Sequence, residues 1–197
     1  MAAFHRRIFT FSTFLAASRE IFDHLEELRA AARSRRISRA FAEKIMVVVS
    51  QVNGCRYCSY GHARAALAAG VSSEELAKLQ RIHFDGFSQE EVVALTFAQH
   101  FAESKGAVDL ASWNRLIDQY GLDAARDIMA YLRMITFGNL YGNTFDAFLY
   151  RLKGMPAPGS NPFSEVGVIL GALLILPCGV IYRLFGRAGR NDQGTAI

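Results

Sequence analysis

The chain has 197 residues, of which 51% are hydrophobic and 20% charged, with a formal net charge of +4. That length suggests one domain plus an appendage, and the composition excludes a disordered chain or one that needs disulfides to hold a core. Three cysteines, one of them inside an apolar run, make no disulfide framework; they point to a reducing, cytoplasmic compartment and to redox or metal chemistry at the closely spaced pair.

The positive charge is uneven. His5, Arg6, Arg7, Arg19, Arg29, Arg33, Arg35, Arg36 and Arg39 crowd the first forty positions, a distribution that invites nucleic acid or an anionic lipid surface. Glu20, Asp23, Glu26 and Glu27 interleave with them, and no aromatic-rich RNA motif accompanies them. The arginines therefore read as a solvated helix face, and no nucleic-acid partner is expected.

Residues 1–17 form an N-terminal segment, basic at Arg6 and Arg7 and then apolar. It faintly resembles a signal peptide, but the apolar part is short, is broken by Thr10, Ser12 and Thr13, and leads to no small-x-small cleavage site. An amphipathic anchor or an ordinary packing segment is the expectation. From residue 18 to 153 the pattern is helical throughout. Ser18 is placed to cap a helix to about Arg33, and Ser38 to start a second whose apolar positions from Ile45 to Val52 are nearly continuous, as in a helix buried on most sides. An alanine-rich helix follows around 55–69. Ser72 with Glu75 and Ser88 with Glu91 are capping boxes for two more. Residues 109–120 and 123–152 repeat the pattern, with a break expected near 138–142, where Gly138 and Gly142 fall. No stretch alternates with period two for long, so the domain is expected to be all-α with six to eight helices.

Residues 154–162 carry prolines and glycines and read as a linker. The next segment, 163–186, is hydrophobic, and 187–197 is a tail. Residues 166–182 hold no charge; as a helix they would be about 25 Å long against a hydrocarbon core of about 30 Å. Gly167 and Gly171 form a small-xxx-small pair for close helix packing, and Pro177 falls where a kink is expected. Membrane association through 163–186 is expected, with packing on another subunit as the alternative.

Chemistry concentrates in one stretch. Cys55, Cys58 and His62 recur at spacings of three and four, which puts them along one face of a helix that starts near Cys55. Asn53 and Gly54 suit the entry to that helix, whose free N–H groups and positive dipole end favour a thiolate. His62 is spaced to take the Cys58 proton, Cys55 to resolve an oxidised Cys58, and Glu43, alone among buried aliphatic residues, to orient His62. The rival site is zinc on Cys55, Cys58, His62 and Glu43, although structural zinc usually draws a second ligand pair from a distant segment. Tyr57, Tyr60 and Tyr141 are candidates for the pocket wall, Asn143 and Asp146 for its support. His24, His83 and His100 read as surface or satisfied core residues.

The spacing Glu43, Cys55, Cys58, His62, together with Val47-Val48-Val49-Ser50-Gln51-Val52-Asn53-Gly54 before it and the Asn-bearing stretch 139–148, resembles the carboxymuconolactone decarboxylase superfamily, in its alkylhydroperoxidase D-like branch. The resemblance covers about 16–153. It implies an all-helical bundle in homo-oligomers that reduces organic hydroperoxides through a Cys pair recycled by a dithiol reductant, with no further cofactor. Carried over, Cys58 is the peroxidatic thiol, Cys55 the resolving thiol, and Glu43 and His62 the proton relay. Alkylhydroperoxidase D itself has a His just before the second Cys, where this chain has Tyr57. The alternatives are a lactone decarboxylase, which needs no thiol pair, and a metal-binding or non-catalytic oligomer on the same fold.

Overall fold

The computed structural model describes residues 4–185, and these are all-helical, with no strand among them. The helices are α1 (Phe11–Asp23), α2 (Leu25–Ser34), α3 (Arg39–Asn53), α4 (Arg56–Ala68), α5 (Ser73–Gln80), α6 (Gln89–Glu103), α7 (Leu110–Tyr120), α8 (Leu122–Leu152) and α9 (Pro162–Phe185). The tail 187–197 lies outside the described residues.

Most helices begin where a side chain can accept from the first unpaired N–H groups. Ser38 and Asp109 cap α3 and α7. Ser72 with Glu75 and Ser88 with Glu91 close reciprocal capping boxes at α5 and α6. α3 is the centre of the bundle. Every residue from Ala42 to Ser50 is buried, and α3 packs against α4, α5, α6 and α8, which explains its nearly unbroken run of apolar residues.

Two expectations need correction. The first helix does not start at Ser18: Thr10 and Thr13 form a capping box one segment earlier, α1 runs straight through position 18, and Ser18 is buried in mid-helix. The chain then bends at His24 before α2. Secondly, α8 is not broken near 138–142. Gly138 and Gly142 keep helical backbone, since neither is among the positive-φ glycines; a glycine in a helix costs only about 1 kcal/mol, and a helix about 46 Å long packed along α2 and α3 outweighs it. Among the described residues no helix is long and apolar enough to cross a membrane.

The apolar helix α9 folds back on the domain. Gly167 and Gly171 lie against the rings of α1: a Cβ at Gly167 would stand 3.0 Å from Phe11, and one at Gly171 would stand 2.9 Å from Phe14. Arg151 of α8 holds the fully buried Glu165 through two contacts, Nε to Oε2 at 2.7 Å and Nη2 to Oε1 at 3.0 Å. Phe163, Leu170, Leu173 and Leu174 turn outward.

Ahead of α1, residues 4–9 form a strap along the far end of α8. The Phe9 N–H donates to Thr144 Oγ1 at 2.8 Å, Asn143 Nδ2 donates to the Arg7 carbonyl at 3.0 Å, and the Phe4 ring meets Tyr150 edge-on at 5.6 Å. This strap and the middle of α8 enclose the junction between α3 and α4.

Candidate active site

That junction is where the expected site residues meet. α3 ends on Gly54 in the left-handed conformation, with φ 66°, which a glycine adopts without the steric cost of a Cβ. The chain reverses there, and Cys55 becomes the N-cap of α4 rather than part of its first turn. Its own N–H donates to the Ser50 carbonyl at 3.1 Å, while its sulfur accepts from the Cys58 N–H at 3.4 Å. Cys58 lies one turn on, and the two sulfur atoms are 2.6 Å apart. Both thiols are free: a disulfide would bring the sulfurs to about 2.05 Å. Cys55 is fully buried and Cys58 only partly so.

Two sulfurs this close cannot ionise independently. The Cys55 thiol is held down to about 7, chiefly because Cys58 donates its S–H to it, with further help from the backbone N–H groups of Cys58 and Tyr57 and the charge of Arg6, against its burial. Cys58 is pushed up, because its proton is held against the Cys55 sulfur and burial disfavours a second charge. The pair therefore gives up its first proton far more readily than its second, and the one charge that forms lies at the helix N-terminus.

Glu43 and His62 also meet: Glu43 Oε2 and His62 Nδ1 are 2.7 Å apart, the carboxylate buried in the α3 wall and the imidazole on α4, partly exposed. A carboxylate on Nδ1 leaves Nε2 as the nitrogen free for proton exchange. No hydrogen bond joins His62 to either sulfur among the described residues, so Cys55–Cys58 and Glu43–His62 stand as two separate pairs and not as one continuous chain. Among the described residues no group of three or more His, Cys, Asp or Glu is arranged to hold a metal ion.

Asp146 is fully buried on α8 and collects Arg6 from the strap at 2.5 Å, Arg56 from α4, and the Tyr57 hydroxyl, which donates at 3.1 Å. Tyr57 is thus drawn to Asp146, and its ring stands beside the thiols under Gly142. Asn143 donates from Nδ2 both to the Arg7 carbonyl and to the Asn53 carbonyl at 2.8 Å, fixing the strap and the end of α3 to one amide. Ser50 and Asn139 meet at 3.1 Å behind the site. Tyr60 is exposed, and Tyr141 packs in the α1/α8/α9 cluster away from the thiols. His24, His83 and His100 pair with Glu27, Asp85 and Asp109.

Gly142, Arg6 and Arg56 were not legible as site residues. A Cβ on Gly142 would lie 2.8 Å from the Cys55 sulfur and 3.7 Å from both the Cys58 sulfur and the Tyr57 ring, so this glycine lets α8 close over the dithiol. Only its spacing of one helical turn from Gly138 and its place between Tyr141 and Asn143 marked it in the sequence.

Residues 19–100 match the family model of the Carboxymuconolactone decarboxylase family. The matched stretch contains Glu43, Cys55, Cys58 and His62 and leaves out α8, which supplies Gly142, Asn143 and Asp146. Neither the curated proteins nor the solved structures contain a match to this chain.

Proposed function

We propose that this protein is a thiol peroxidase that reduces organic hydroperoxides through a Cys55–Cys58 dithiol and disulfide cycle. The observation that carries the proposal is the free pair of sulfurs 2.6 Å apart at the start of α4, one of them partly open to solvent and neighbouring a carboxylate-bound imidazole. The family match supports the superfamily, which holds both peroxidase-like and decarboxylase members; lactone decarboxylation makes no use of two apposed thiols.

The chemistry balances as follows. The dithiol loses one proton to His62 Nε2, one helical turn along α4 from Cys58, and the imidazolium is held by Glu43. The remaining proton moves between the two sulfurs along their short contact. With it on Cys55, the Cys58 thiolate attacks the terminal oxygen of the hydroperoxide. The O–O bond breaks, the leaving alkoxide takes the proton from His62, and Cys58 becomes a sulfenic acid. The Cys55 sulfur then attacks Cys58, and the departing hydroxide leaves as water with the Cys55 proton. One hydroperoxide is reduced to alcohol and water, and one dithiol is oxidised to a disulfide, which an external dithiol must reduce. Solvent access selects Cys58 as the attacking atom, since Cys55 is sealed beneath Gly142 and the strap.

The test is the reaction of purified protein with one equivalent of cumene hydroperoxide, followed by thiol titration and mass spectrometry. Loss of two thiols, at a rate at least a hundredfold above that of free cysteine, with a Cys55–Cys58 disulfide as product, is the expected result. Cys55→Ser stalls at the sulfenic acid, and Cys58→Ser does not react. A wild-type rate no faster than free cysteine would refute the peroxidase assignment.

A further inference from the structure

A second cavity lies away from the thiols, between α1, the α6–α7 connection and the middle of α8. Its volume is about 820 Å³, in the range of small-molecule sites. Phe9, Met129, Phe137 and Leu140 supply apolar wall, and Trp113, the only tryptophan of the chain, stands in the lining.

Three polar atoms of lining residues are buried without a hydrogen-bond partner among the described residues: Nη1 of Arg7, Oγ1 of Thr136, and Nδ1 of His24, which already faces Glu27 Oε2 at 3.0 Å as an ion pair and so leaves the first two unmatched. Leaving a guanidinium N–H unsatisfied away from water is costly, and proteins rarely do so without a reason. Arg7 cannot simply swing away with the chain, because its carbonyl is tied to Asn143. The acids that reach this cavity are committed elsewhere. Glu20 and Glu27 approach Arg133 at 3.6 and 3.3 Å, and Asp109 caps α7 through Ser112 and pairs with His100. Burial without a counterion also lowers the Arg7 pKa.

We propose that this cavity is a binding site for an amphipathic monocarboxylate, its carboxylate on Arg7 and Thr136 and its alkyl or aryl body along Phe9, Phe137 and Leu140. One guanidinium edge and one hydroxyl match the two oxygens of a carboxylate. The apolar walls fit a hydrocarbon body that an inorganic anion lacks. The site is independent of the thiols, none of which lines it.

The experiment titrates the full chain with octanoate and with 1-octanol, reading Trp113 fluorescence and isothermal calorimetry. Octanoate is expected to bind saturably at one site per chain and at least tenfold more tightly than octanol. Arg7→Met weakens octanoate at least tenfold and leaves octanol unchanged, while Thr136→Val weakens octanoate about threefold. If circular dichroism finds Arg7→Met unfolded, Thr136→Val and the octanoate-to-octanol ratio decide. Equal binding of acid and alcohol, wild-type affinity in the folded variants, or no octanoate binding because a second copy fills the cavity, as sedimentation would reveal, each overturns the proposal.

Discussion

At the scale of single residues, the site depends on one proton and one missing methyl group. Because the Cys55 thiol is held at about 7, the charged form of the pair gains population as pH rises through that value. The rate of reaction with hydroperoxide should therefore climb about tenfold per pH unit below 7 and level off above it, a profile measured by stopped-flow oxidation between pH 5 and 9. A dithiol with the ordinary cysteine value would still be climbing at pH 8. Gly142 gives the second prediction. In Gly142→Ala the new Cβ stands 2.8 Å from the Cys55 sulfur, so the sulfur or the helix must shift. Overpacking costs about 1–3 kcal/mol, offset by the roughly 1 kcal/mol that alanine adds to a helix. Stability should fall by less than about 2 kcal/mol, while the oxidation rate drops at least tenfold through misplacement of the pair. Gly138→Ala is the control: nothing lies within 4 Å of its Cβ, so it should stabilise by up to about 1 kcal/mol and leave the rate unchanged. The Cys, His and Glu of the site were legible because their chemistry is carried by residue type and by spacing along two helices. Gly142 and Arg6 were hidden because their contributions are an absent side chain and a charge delivered from a distant segment.

At the scale of elements, the capping boxes of α5 and α6 are joined by one cation. Glu75 and Glu91 each turn one oxygen to their own cap and the other to Lys44 of α3, at 2.6 and 2.8 Å. Lys44 is buried, and its amine lies 5.1 Å from the Phe87 ring centre. Glu75 is held down at about 2, by Lys44 first and then by the Ser72 backbone. Lys44→Met should destabilise by about 1–2 kcal/mol at pH 7, a modest figure because both carboxylates are partly exposed and can rehydrate. A carboxylate with a depressed pKa stabilises the fold above its unfolded value of 4.5 and loses that contribution as pH falls towards 2. The deficit of the variant should accordingly shrink across that window, as denaturant unfolding at a series of pH values would measure. These two boxes, the buried character of α3 and the all-helical class were all readable, since they follow from local pattern. The start of α1 and the continuity of α8 were not: a threonine pair is a weaker cap signal than a serine, and two glycines look like a break until the neighbours that hold them in line are known.

At the scale of the whole molecule, α8 and the strap turn a local motif into an enclosed site. The sequence carried the two halves separately: a motif on α3 and α4, and a polar Asn143 and Asp146 almost ninety residues on, held as supporting candidates. What joined them was tertiary. The outward leucines of α9 and the aromatic rings received by Gly167 and Gly171 likewise divide one apolar segment into two faces that its composition alone did not separate. The bonds from Phe9 to Thr144 and from Asn143 to Arg7 span 135 and 136 positions. On a ribosome, the strap therefore emerges long before the helix that it docks on, and waits for nearly the last helix of the domain. Through that interval the two thiols are already made but lack Asp146, Gly142 and the strap above them. The newborn chain thus passes through a stage in which its cysteines are open to any passing oxidant, and protection arrives only when synthesis of the domain is nearly complete.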